Sequence, residues 1–159
     1  EAMIEIGRTH AWEGRLAEAE KWFQSIAENE LSDSDLVASA QFELGVATVL
    51  ARRDAKNRWD AVLSHVGASW IQREAALFMR GQIDSVALRA SFRGRSVSSA
   101  DVPLFQALAA LQRNDLVGWL VNVDEYVRGF PWSNGLWELR RVSQWATTRT
   151  PRPPEAARK

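Results

Sequence analysis

Two histidines, His10 and His65, are the only imidazoles in this 159-residue chain. They would make an acid–base pair or a metal site only if the fold brought them together with a carboxylate. His10 falls in the first helical stretch. His65 falls at a helix C-terminus, where partial positive charge is favoured. Nothing in the spacing joins them. Asp33 and Asp35 resemble paired carboxylates, but they lack the further oxygen ligands and the loop glycine of a calcium site. Capping the next helix is their expected role. Asp124 and Glu125 are adjacent on a helix, point different ways and read as solvated surface. Cysteine is absent, which removes disulfides, thiolate ligands and cysteine nucleophiles together. No glycine-rich phosphate loop, zinc spacing or nucleophile elbow occurs. The sequence thus predicts a protein that is not an enzyme and carries neither metal nor cofactor.

The eight tryptophans are the more informative residues. Large rings bury much area where helices pack. Trp59 is expected in such a position, and Trp22 adjoins Phe23. Trp132, in "GFPWSNG", is expected to staple the loop to the last hairpin or to serve as an exposed anchor for a partner. Trp12 and Trp119 each follow closely on a glycine, Gly7 and Gly118, within a helix.

The chain that positions them is long enough for one domain, with 46% hydrophobic and 25% charged residues. The formal net charge is zero but unevenly spread. Residues 1–79 hold eight Lys/Arg against thirteen Asp/Glu, and residues 80–159 hold twelve against seven. An acidic half joined to a basic half allows head-to-tail self-association. No apolar run approaches the roughly 20 residues of a membrane span. No targeting segment is visible, so the default expectation is the cytoplasm. The chain reads as helix almost from Glu1, as a piece of a longer protein would. Residues 1–148 are expected to form the folded domain. Residues 149–159, "RTPRPPEAARK", are expected to form a Pro/Arg-rich disordered tail or linker.

Four glycines recur inside helical-looking segments: Gly7, Gly45, Gly81 and Gly118, separated by 38, 36 and 37 residues. A helical glycine costs about 1 kcal/mol relative to alanine, so the recurrence implies close approach by a neighbouring helix. After each comes a small–large–apolar pattern on one helical face: Ala19–Phe23–Ile26, Ala55–Trp59–Val62, Ala100–Leu104–Ala107 and Gly135–Leu139–Val142. Each repeat therefore reads as a helical hairpin. Stop and start signals predict helices over 2–13, 15–28, 35–52, 54–65, 70–92, 101–113, 115–128 and 135–147. Asp33 or Ser34 should cap the third, Asn114 or Asp115 the seventh, and Gly67 should end the fourth. The third helix carries two apolar stripes, Leu36, Ala40, Leu44 and Ala47 on one and Phe42, Val46 and Val49 on the other. A helix so patterned must be covered on two sides.

The first repeat, "GRTHAWEGRLAEAEKWF", resembles the tetratricopeptide repeat family through Gly7, Gly14, Ala19 and Phe23, and the other three look like degraded copies. The resemblance implies an all-α fold: an α-solenoid of about four TPR-like hairpins in a right-handed superhelix. It also implies a concave groove lined by the first helix of each hairpin, at Arg8, Ala11 and Trp12, at Val46, Val49 and Leu50, at Gln82, Ser85 and Val86, and at Trp119, Asn122 and Val123. The binding residues so implied are Arg8, Trp12, Gln82, Ser85, Trp119 and Asn122. The implied function is a protein–protein interaction scaffold or adaptor holding a partner segment. The alternative is a regulatory or sensor module that binds a small effector or peptide. Arg89, Arg93 and Arg95 and the pair Arg140 and Arg141 are basic clusters without a nucleic-acid module, so nucleic acid is not expected as the partner.

Overall fold

The computed structural model describes residues 2–95 and 101–129. Among these the chain is all-helical: α1 (Ala2–Trp12), α2 (Leu16–Ala27), α3 (Ser34–Leu50), α4 (Lys56–Ser64), α5 (Trp70–Met79), α6 (Ser85–Gly94), α7 (Asp101–Gln112) and α8 (Leu116–Gly129), with no strand. None of them is long and apolar enough to cross a membrane. The expected helix at 135–147, the loop at Trp132 and the tail lie outside the described residues.

The first four helices fall within a few residues of the expected spans. The expected single helix over 70–92 is instead two helices, α5 and α6. Gly81 takes φ +70°, which ends α5. Asp84 then caps α6, its Oδ1 accepting from the Ala87 N–H at 2.8 Å. The segment "GQID" is thus a stop followed by a start. Gly81 lies in a turn rather than in a helix, and nothing stands within 4 Å of where its Cβ would be.

The split exposes a repeat in the backbone itself. One residue with left-handed φ follows each of α1, α3, α5 and α7: Gly14 at +76°, Arg52 at +60°, Gly81 at +70° and Asn114 at +62°. All four ends make the same pair of hydrogen bonds. The left-handed residue donates to the carbonyl three back (Ala11, Val49, Phe78, Leu111). The next residue donates to the carbonyl five back (His10, Thr48, Leu77, Ala110). All eight bonds measure between 2.8 and 3.0 Å. This is the Schellman termination, and it satisfies carbonyls the helix leaves orphaned. The four turns are separated by 38, 29 and 33 residues. The regular spacing of the four glycines therefore marks equivalent positions only at Gly7 and Gly45, because Gly118 lies on α8, the second helix of its pair.

At those two positions the close approach is real. A Cβ on Gly7 would fall 2.4 Å from Phe23 Cε1, and one on Gly45 would fall 2.5 Å from Trp59 Cζ3. Phe23 and Trp59 are both fully buried on the partner helix. Gly67 does not end α4, which stops at Ser64. Its place is against the start of α3, where a Cβ would meet the Ser34 carbonyl at 2.5 Å. Asp33 stands at the N-cap of α3 but makes no side-chain cap bond, whereas Asp115 Oδ1 accepts from the Gly118 N–H at 2.8 Å.

The two stripes of α3 serve two clusters. Ala40, Leu44 and Ala47, flanked by Leu36, pack with Ile4, Ala19, Phe23 and Ile26. Val49, flanked by Phe42 and Val46, joins the larger cluster running through α4 to α8. In α7, nine of twelve residues are buried, so it is a central helix rather than the outer member of a pair. It packs against α3, α5, α6 and α8. A relay of edge-to-face rings ties five helices together: Trp59 to Phe42 at 5.8 Å, Phe42 to Phe105 and Phe105 to Phe92 at 6.2 Å each, and Phe92 to Trp70 at 5.0 Å. Polar ties follow the same path. Trp59 Nε1 donates to Gln112 Oε1 at 3.0 Å, and Gln112 Nε2 donates to the Met79 carbonyl at 3.2 Å.

Candidate binding groove

An open-sided cavity of about 460 Å³ lies between α1, α3, α7 and α8. Its apolar lining comes from Phe42, Val46 and Leu50 of α3, Leu104, Phe105 and Leu108 of α7, and Trp119 of α8. Its polar lining is Glu5, Arg8 and Thr9 of α1, Glu43 of α3, Asp101 of α7 and Tyr126 of α8. The helical period explains the grouping. Phe42, Val46 and Leu50 stand four apart on one face of α3, as do Leu104 and Leu108 on α7 and Glu5 and Thr9 on α1.

Arg8 organises the α1 side. Its Nε donates to Glu43 Oε1 at 2.8 Å, and its terminal nitrogens reach Glu43 Oε1 and Glu5 Oε1 at 2.6 Å each. The Glu43 side chain is only 13% exposed. Burial pushes its carboxyl above the usual carboxylate range, against the opposing pull of Arg8. Burial works against the Arg8 charge too, but Glu43 and Glu5 more than offset it and hold its pKa above the ordinary value. Asp101, in the first turn of α7, has no such compensation. Burial alone raises its pKa, and no cation pairs with it among the described residues. A second polar group is unmatched on α8: the Trp119 indole N–H is buried without an acceptor among the described residues. Buried donors of this kind are rare enough to need a reason.

Of the residues implied by the family resemblance, Arg8, Val46, Leu50 and Trp119 are brought together here. Gln82 and Ser85 stand at the turn between α5 and α6 and at the start of α6, away from this lining. Asn122 turns back on its own helix, donating to the Gly118 carbonyl at 2.7 Å. Val49 is core, Val86 is exposed, and Val123 is buried. The Trp12 side chain lies outside the described residues. Sequence reasoning missed Phe42, Glu43, Asp101, Leu104 and Phe105. The long helix drawn over 70–92 had made α7 an outer helix, which took its residues out of the groove.

No protein-family model matches the chain, and no curated protein or solved structure gives a significant match.

Proposed function

We propose that this chain is a protein-interaction module of the tetratricopeptide type, a right-handed array of helical hairpins that holds a segment of a partner protein in its groove. The observation that carries the reading is the cavity between α1, α3, α7 and α8, walled by apolar side chains and bordered by charged ones. Apolar anchors for side chains and a polar border for register are what recognition of an extended or helical segment requires. The four identical helix terminations support the repeat reading, because they divide the chain into similar helix–turn–helix units.

The cavity's size favours a second reading. About 460 Å³ also suits a small molecule, so a sensor module that closes over an effector is the alternative. The two are separated by capture on the folded chain from source-cell lysate, with Leu104→Glu as the control. Leu104 is only half-buried, so the change alters the groove more than the core. A partner protein retained by the native chain and lost by the folded variant, and cross-linked to α1, α3 or α7, supports the interaction module. A rise in melting temperature on adding only the low-mass lysate filtrate, with no protein retained, moves the sensor ahead.

A further inference from the structure

The lining of the groove is unbalanced in charge: Glu5, Glu43 and Asp101 face one cation, Arg8. Arg8 is committed to Glu5 and Glu43, which leaves Asp101 as the unanswered carboxylate of the lining among the described residues. Around it the walls are apolar, with Leu104, Phe105 and Phe42 close by in the same lining. A carboxylate in that setting is costly until a cation arrives, and a cation on a long aliphatic stem suits such walls.

We propose that the segment held in the groove carries a lysine or arginine that pairs with Asp101 while its apolar neighbours pack on Phe42, Leu104 and Phe105. The proposal rests on the segment-binding reading and adds the chemistry of the segment. Electrostatic complementarity of this kind sets which partner is accepted, since an acidic segment would face an excess of two negative charges among the lining residues. A peptide rather than a simple amine fits the lining, because a peptide brings both a cationic side chain and apolar neighbours for the walls. Asp101 also sits in the first turn of α7, where the helix dipole favours a carboxylate.

A phage-displayed library of random dodecamer peptides, selected on the folded chain, tests this. Selected peptides are then measured by fluorescence polarisation against native protein, Asp101→Asn and Leu104→Glu, each verified as helical by circular dichroism. The expected result is enrichment of one Lys or Arg flanked by apolar residues. Affinity should fall about tenfold or more on Asp101→Asn, and by a similar factor when the basic residue of the peptide becomes Met. Peptides that are lost on Leu104→Glu yet lack a basic residue, or that bind Asp101→Asn at full affinity, overturn the cation assignment and leave segment binding standing. A library that yields no binder sensitive to Leu104→Glu overturns both.

Discussion

Gly45 and Trp59 are in direct van der Waals apposition: a single Cβ on Gly45 would lie 2.5 Å from the indole Cζ3. The missing side chain lets α3 approach α4 with a fully buried tryptophan between them, and the same ring begins the aromatic relay to Phe42 and Phe105 at the groove. Gly45→Ala therefore overpacks the core rather than merely raising helix propensity. The expected cost is about 1–3 kcal/mol. Urea denaturation of Gly45→Ala, and of Gly45→Ala combined with Trp59→Leu, checks it. The double variant should recover part of the loss that Gly45→Ala causes in a Trp59→Leu-free background.

The repeated helix termination predicts a different pattern at Gly14 and Gly81. Both take left-handed φ, and the space beside Gly81 is open. Alanine at either position meets backbone strain, at Gly81 without a clash, so each substitution should cost about 1 kcal/mol. Thermal denaturation should give losses of similar size at the two turns, because the two turns are built alike.

Arg73 joins α5 to the end of α4. Its Nε donates to the Ala68 carbonyl at 3.1 Å, and its terminal nitrogens donate to Leu63 at 3.0 Å and His65 at 2.7 Å. A charged donor there also answers the negative end of the α4 dipole. Arg73→Ala should destabilise by roughly 2 kcal/mol, and Arg73→Lys should recover only part, since one ammonium cannot span three acceptors. Denaturant midpoints of the two variants measure this.

Glu43 and Asp101 make stability depend on pH in a definite direction. Burial raises both carboxyls, so the folded state holds these protons to higher pH than the unfolded chain does. Their contribution to stability is full below the unfolded values of about 4.5 and 3.8 and is lost as pH rises through the folded values. Asp101→Asn should accordingly gain on the native chain as pH rises from 4 toward neutrality, and Glu43→Gln should show the same slope. Unfolding free energies across that range check the sign. A gain in stability on Asp101→Asn beside a loss of peptide binding would mark Asp101 as a residue kept for recognition.

Much of the architecture was legible because apolar spacing reports directly on burial. The two stripes of α3 could be read from Leu36 to Ala47 and from Phe42 to Val49, and they do go to two clusters. The contact of Gly7 with Phe23 could be read from a small residue in helix one and a large one in helix two. The break at Gly81 was masked because helical periodicity runs on either side of "GQID" while the turn occupies only a few residues. That one error moved α7 out of the groove. The run "PLFQALAAL", apolar but for Gln106, could have corrected it, since a helix buried on all sides belongs inside. Glu43 was missed because a glutamate in a helix reads as solvated. The signal was its isolation, as the only charge in α3 beyond Asp35 in the first turn.

Hydrogen–deuterium exchange tests the groove most directly, comparing the chain alone with the chain bound to its captured partner or to a selected peptide. Binding in the groove predicts added protection in α1, α3 and α7, over residues 2–12, 34–50 and 101–112, with α2 and α4 unchanged. Protection confined to α2, α4 or α6, with none in α3 or α7, would contradict it and move the binding surface to the opposite face.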